Sequence, residues 1–201
     1  MRMFRLARSP LARALLEDEG ATAAVETALL APIALSVMAL LVYGAEGFAI
    51  DRKVTLTART VTDLITQATP TQLSSGSSVV AAASIDNDLQ VASAVLAPYT
   101  AANMTMVVSE VLVAANGTTA TVQWSEPYNG ASARPANQVI TLPGSIGTGQ
   151  GGSYFILGEV YYNYAPLQIF TPLSAITLSG AIYLTPRQST SITCHNCATP
   201  D

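Results

Sequence analysis

A run of nineteen residues without a charged side chain, residues 27–45, constrains this chain more than any other feature. Glu26 and Glu46 bound the run. As an α-helix that rises about 1.5 Å per residue, it would be roughly 28 Å long, close to the ~30 Å hydrocarbon thickness of a bilayer. The run is longer than the roughly 7–15 residues of a signal-peptide core, and no A-x-A-type cleavage site follows it. It therefore predicts one membrane-spanning helix.

Glu26 lies at the amino-terminal edge of the apolar run. A carboxylate that faces lipid costs on the order of 2.5–3.5 kcal/mol at mid-depth and less near the interface. One interpretation is that the side chain reaches the headgroup region alone. The other is that it binds a cationic group of another chain, in a low-dielectric setting where pairing matters most.

The residues around Glu26 resemble the beginning of the TadE-like pseudopilins of tight-adherence (Tad) pilus systems. The resemblance rests on a basic leader that ends in acidic residues, followed by the stretches 20–26 and 28–32. It implies that a prepilin peptidase cuts after Gly20 or after Ala21, which makes Glu26 the sixth or the fifth mature residue. It also implies that Glu26 sets subunit register by pairing with the new amino terminus of a neighbouring subunit.

A second part of the resemblance lies near the carboxy terminus. Residues 161–164 are rich in tyrosine and precede Pro166, and Pro186-Arg187 follows the last long predicted strand. TadE-like proteins carry a tyrosine-rich strand that ends in proline, and then a final strand closed by Pro-Arg. Packing is the main role expected of the tyrosines, with subunit contact or adhesion as the alternative.

The distribution of charge bears on partners and on orientation. The net charge is −4, and four of the nine basic residues lie in the first thirteen positions, so the remainder is acidic. The sequence has no basic patch with interleaved aromatic residues, which argues against a nucleic-acid partner. Four arginines precede the apolar run and three basic residues follow it closely, a balance that favours a cytoplasmic amino terminus. The globular part is then expected in the bacterial periplasm or on an extracellular pilus.

The periodicity of the remaining sequence predicts an α+β fold. The helix is expected to continue through residues 51–67 with one apolar face and to be followed by a second helix over residues 78–97. The period then changes to two, which predicts a four-stranded antiparallel sheet in meander order, as in pilins. Its main strands are expected at residues 104–113, 118–126, 154–167 and 176–185, with a short edge strand near 139–142. Trp124 is expected to anchor the core with its N–H group bonded.

These patterns divide the chain into four parts. Residues 1–20 are expected to be the basic leader, and residues 21–69 the transmembrane helix and its continuation. Residues 70–190 form the predicted exported α+β domain, and residues 191–201 form a tail that contains Cys194 and Cys197.

The two cysteines leave three interpretations open. In an oxidising compartment Cys194 and Cys197 could form a small-ring disulfide or bridge to a partner. They could instead lie in an unreactive tail. The third interpretation is redox or metal chemistry. A redox pair normally requires a thioredoxin-like context, and zinc requires four ligands, whereas His195 is the only histidine.

No catalytic constellation can be assembled from this sequence. It contains neither H-E-x-x-H nor G-x-S-x-G, and the G-x-G-x-x-G pattern at residues 147–152 precedes a predicted strand instead of opening a helix. We therefore expect no enzyme activity, cofactor, metal or small-molecule substrate.

The resemblance implies a minor pseudopilin, a structural or assembly component of a Tad-type pilus. Its expected partners are the inner membrane, a prepilin peptidase, other pilins and pseudopilins, and Tad assembly proteins. One alternative is a permanently anchored periplasmic binding module of a secretion system. Another is a membrane-tethered thiol-disulfide enzyme that would depend on Cys194 and Cys197.

Overall fold

The computed structural model describes residues 19–67, 77–166 and 175–198. The chain divides into two compact units, Met1–Glu46 and Gly47–Asp201. The described α-helices and β-strands, in chain order, are α1 (Glu19–Thr66), β1 (Ser77–Ala81), α2 (Ala82–Ser93), β2 (Met104–Val113), β3 (Thr119–Tyr128), β4 (Val139–Thr141), β5 (Tyr154–Tyr164), β6 (Ile176–Leu184) and β7 (Ser191–His195). The predicted α+β class is confirmed.

The main sheet has five antiparallel strands in the order β4-β3-β2-β5-β6. The four long strands lie where the sequence predicts them, and the short edge strand β4 is the fifth. The predicted meander of the four long strands is wrong, because β5 pairs with β2 and not with β3. Strands β2 and β3 have ten residues each, so length does not select the partner. The edge of β3 that faces away from β2 pairs with β4 at residues 119–121, and β5 pairs with the other edge of β2 from Met104↔Tyr162 to Leu112↔Tyr154.

The predicted second helix is shorter than expected. Residues 77–81 form β1, the helix proper is α2, and a 3₁₀ turn follows at Ala94–Leu96. Val79 and Val80 lie in β1 and pair in parallel with Thr193 and Cys194 of β7. Valine suits a strand more than a helix interior, and the partner strand comes from the far end of the chain, which local periodicity does not reveal.

The main core lies between one face of the sheet and residues 47–66 of α1. The helix contributes a stripe of buried side chains spaced by three or four residues: Ile50, Val54, Ala58, Val61 and Ile65. The predicted apolar face of this segment is thus confirmed, and Trp124 is fully buried in the same core.

Two glycines bring the helix close to the sheet. A Cβ atom at Gly158 of β5 would overlap the hydroxyl of Thr62 and lie 3.3 Å from the carbonyl oxygen of Ala58. A Cβ atom at Gly180 of β6 would lie 3.1 Å from the Cα atom of Thr55. The absence of side chains at these positions therefore sets the distance between helix and sheet.

A smaller apolar cluster lies on the opposite face of the sheet. Its buried members are Val111, Val113, Ala120, Val122, Leu142 and Phe155. The register of β2 on β3 shifts between Glu110 and Val111, at a β-bulge.

Residues 23–46 of α1 form the apolar part of the other unit. The helix contains an 18-residue window with a mean hydropathy of 2.2, none of which is buried. Its large side chains are exposed, with Leu40 at 74% and Leu29 at 67%. By length and composition, α1 could cross a membrane.

Candidate functional site

The first candidate site is the amino-terminal part of α1, which holds all three residues predicted to direct processing and register. The described part of α1 starts at Glu19, with Gly20 and Ala21 directly after it, and Glu26 follows about one and a half turns later. The side chain of Glu26 is exposed. Gly20, Ala21 and Glu26 thus lie along one short helical segment.

The surroundings of Glu26 are apolar and exposed. Val25, Leu29 and Leu30 each have more than half of their surface accessible. The polar side chains nearby use the backbone of their own helix: Thr27 donates a hydrogen bond to the carbonyl oxygen of Ala23 (2.8 Å). A surface of this kind is stable against lipid or other apolar helices, since burial of one large aliphatic side chain is worth about 1.5–3 kcal/mol.

The second candidate site is the carboxy-terminal segment, residues 191–198. The sequence predicts a tail from residue 191, whereas the structure has strand β7, with Ile192 fully buried. Cys194 and Cys197 form a disulfide and both side chains are buried. His195 between them is exposed. Of the interpretations open from the sequence, the structure has the intrachain disulfide, in a packed segment.

Three buried side chains from β2 and β3 hold this segment by its backbone. Glu110 accepts a hydrogen bond from the N–H group of Ile192 (2.6 Å), and the indole N–H of Trp124 donates to the carbonyl oxygen of the same residue. Glu126 accepts a hydrogen bond from the N–H group of Ala198 (2.7 Å). The prediction that Trp124 is a core anchor with a bonded N–H is confirmed.

Sequence reasoning missed the roles of Glu110 and Glu126. A signal was present, because Glu110 has the same parity in β2 as Met104, Met106 and Val108, all of which face the core. A carboxylate at a core-facing position needs donors, since its desolvation is otherwise costly.

The environment of Glu126 disfavours its ionised form. Burial raises the pKa of Glu126 above its usual range, and the nearby charge of Asp86 raises it further, while the hydrogen bond from Ala198 acts in the opposite direction. The charge of Glu126 is therefore sensitive to how firmly the carboxy-terminal segment covers it.

A third polar cluster lies on the other face of the sheet. The guanidinium of Arg134 donates to both oxygens of the buried carboxylate of Glu159 (2.6 and 2.7 Å), and Tyr161 donates to it as well (2.9 Å). The hydrogen bond to Glu159 is the main cause that raises the pKa of Arg134, and desolvation raises the pKa of Tyr161 and of Tyr183. These hydrogen bonds attach the loop that carries Arg134 to the sheet. The role of Glu159 is therefore structural.

Arg187, the last residue of the carboxy-terminal motif, binds the end of α1. Its N–H group donates to the carbonyl oxygen of Thr66 (2.9 Å), and its guanidinium forms an ion pair with Asp63. A cation and a donor at this place complement the exposed carbonyls and the negative end of the helix dipole. The Pro-Arg motif thus has a packing function in this chain.

The glycine-rich stretch at residues 147–152 forms turns that pack on the β2–β3 hairpin. Gly147 lies against the backbone of Gly117, where a Cβ atom would not fit, and Gly152 donates to the carbonyl oxygen of Val113 (2.9 Å). Strand β5 follows this stretch, so it does not open a helix as a dinucleotide-binding loop does. Within residues 19–67, 77–166 and 175–198, no cluster of three histidine, cysteine or acidic residues suits a metal ion.

No protein-family model, curated protein or solved structure matches this chain.

Proposed function

We propose that this protein is a non-catalytic, pseudopilin-like component of a Tad-type pilus. The observation that carries the proposal is the combination, within one helix, of an exposed carboxylate at Glu26 and the uncharged, exposed run that follows it. In this proposal α1 is stored in the bacterial inner membrane as a single span. Its amino terminus faces the cytoplasm and the globular unit faces the periplasm.

The proposed mechanism has two physical steps. A prepilin peptidase first removes the arginine-rich leader after Gly20 or Ala21, which takes away charges that would anchor the helix at the cytoplasmic headgroups. The new α-amino group, which is protonated at neutral pH, then becomes available to a neighbouring subunit. Both steps lower the cost of moving the helix from lipid into a bundle of apolar helices.

Glu26 has a specific part in this mechanism. Its carboxylate disfavours lipid, by up to about 2.5–3.5 kcal/mol at mid-depth, and an amine of an adjacent subunit would remove that penalty. Because the two groups attract most strongly in a low-dielectric setting, only the axial register that brings them together is favoured. The proposed partners are accordingly other pilins and pseudopilins and the Tad assembly proteins. The globular unit would cap, prime or decorate the filament.

The variant Glu26→Gln tests this proposal in cells of the natural host. Glutamine keeps the size and hydrogen-bonding capacity of the side chain but removes the charge. We expect the amount of protein in the sheared pilus fraction to fall at least about tenfold, which corresponds to about 1.4 kcal/mol. The amount in the membrane fraction is expected to stay the same.

Glu46→Gln is the matched control, because Glu46 bounds the same uncharged run at its other end. The control should reach the sheared fraction as the unchanged protein does. Equal amounts of Glu26→Gln and the unchanged protein in that fraction would contradict the proposed role of Glu26. Absence of the unchanged protein from the sheared fraction would favour a permanently anchored periplasmic binding module.

A further inference from the structure

The carboxy-terminal segment, residues 191–198, is held in the core by an unusual set of contacts, and we refer to it as the clip. Its strand β7 pairs with β1, in a two-stranded parallel sheet separate from the main one. The side chains of Glu110, Trp124 and Glu126 hold its backbone as well. The clip therefore contributes no strand to the main sheet, yet it covers part of the main core.

The three side chains and the clip depend on each other. Glu110 and Glu126 are only 3% and 8% exposed, and each accepts a backbone N–H of the clip. Without the clip, Glu110 would lose the hydrogen bond from Ile192, Glu126 would lose the one from Ala198, and Trp124, now fully buried, would lose the acceptor of its indole N–H. Loss of hydrogen bonds by buried polar groups is costly, so removal of the clip favours hydration of this patch.

The disulfide lies between the two anchored ends of the clip. Ile192 is bound before Cys194, and Ala198 is bound immediately after Cys197. The bond fixes the turn between these cysteines, so that the N–H groups of Ile192 and Ala198 are presented together to Glu110 and Glu126. When the disulfide is reduced, the turn can rearrange. Binding of the clip to both carboxylates then costs the conformational entropy of ordering the segment.

We propose that the clip is a redox-controlled latch on the globular unit. With the Cys194–Cys197 disulfide closed, the latch is docked; with the two thiols reduced, it is released and a surface centred on Trp124, Glu110 and Glu126 opens. The inference does not depend on the proposed function. It concerns only the described residues of the globular unit and a disulfide that forms in an oxidising compartment.

The chemistry of the latch is thiol–disulfide exchange with a small dithiol or disulfide. In the opening direction, one thiolate of dithiothreitol attacks a sulfur of the protein disulfide, and the released cysteine thiolate takes up a proton. The second thiol of the reagent then breaks the mixed disulfide, which leaves two protein thiols and one cyclic disulfide. In the closing direction, the two thiols transfer two electrons and two protons to a disulfide such as oxidised glutathione.

Trp124 reports on the latch directly, because it is the only tryptophan in the chain. The experiment uses the full chain in detergent micelles, with and without dithiothreitol, and measures the tryptophan emission and its quenching by acrylamide. Hydrogen exchange by mass spectrometry follows the clip and strand β5 in the same samples. The double variant Cys194→Ser/Cys197→Ser is the control, since it cannot form the disulfide.

We expect reduction to shift the Trp124 emission to longer wavelength, to increase quenching several-fold and to accelerate exchange in residues 191–198. Strand β5 should stay protected, and oxidised glutathione should reverse all three changes. The double serine variant should give the reduced signals with or without dithiothreitol. The inference is overturned if reduction leaves Trp124 and the clip unchanged. It is equally overturned if β5 loses protection together with the clip, because a latch must open without unfolding of the sheet.

Discussion

The close approach of α1 to the sheet at Gly158 gives a sharp quantitative prediction. In Gly158→Ala, the new Cβ atom would overlap the hydroxyl of Thr62 and lie 3.3 Å from the carbonyl oxygen of Ala58. Neither neighbour can move easily. Thr62 is buried and β-branched, its hydroxyl donates to the carbonyl oxygen of Ala58 (2.7 Å), and that carbonyl belongs to the helix backbone.

The expected loss of folding free energy follows from the type of contact. Overpacking of a core by one methyl group typically costs 1–3 kcal/mol, and the rigid neighbours place Gly158→Ala at about 2–3 kcal/mol. Thr62→Ala alone should cost about 1 kcal/mol through lost packing and one lost hydrogen bond. In the double variant, the new Cβ atom at residue 158 occupies space that the threonine side chain has vacated. The double variant should therefore be about 1–2 kcal/mol more stable than the sum of the single effects predicts.

Urea unfolding of the full chain in micelles, followed by Trp124 fluorescence, measures these free energies. The midpoint should fall without a change in the slope m. Gly44→Ala is the matched control, because nothing lies within 4 Å of the Cβ position there and alanine favours a helix. A Gly158→Ala variant that loses less than about 0.5 kcal/mol would refute the reasoning, since overpacking should cost more. So would strictly additive effects in the double variant.

Two further predictions concern the buried carboxylates of the globular unit. Arg134→Met leaves Glu159 without its ion-pair partner and should cost about 2–4 kcal/mol in urea unfolding, whereas Arg59→Met, on an exposed side chain of α1, should cost little. Equal losses in both variants would contradict the structural role of the pair. For Glu126, burial raises the pKa in the folded state, so its stabilising contribution is complete below the unfolded pKa and is lost as the pH rises through the folded value. The stability of Glu126→Gln relative to the unchanged protein should therefore increase from about pH 4 to pH 7, and a difference that does not vary with pH would contradict this.

The parts of the fold that the sequence predicts are those with a clear local period. The uncharged run and its amphipathic continuation give α1, and alternation gives the four long strands of the main sheet. The predicted strand order was wrong because β2 and β3 are equally long and alternate in the same way, so local patterns do not show which of them pairs with β5. The pairing of β1 with β7 was missed for a related reason, since it joins distant parts of the chain.

The candidate sites likewise differ in how far local sequence predicts them. Glu26 stands out locally, because it is a charge at the edge of an apolar run. The alternation of β2 places Glu110 on the core-facing side, but the hydrogen bonds that Glu110 and Glu126 accept from Ile192 and Ala198 could not be predicted, because these donors are backbone groups of the clip. The spacing of Cys194 and Cys197 does not show that the clip is packed in the core, so it leaves a disulfide, an unreactive tail, and metal or redox chemistry open.

Mass spectrometry of the amino-terminal peptide tests the central claim most directly. The protein is isolated from inner membranes and from sheared pili of the natural host, and its first residue is determined in each fraction. The account predicts a mature chain that begins at Ala21 or Thr22 in the sheared fraction, with Glu26 as the sixth or fifth residue. Functional protein that still carries the arginine-rich leader in that fraction would contradict it.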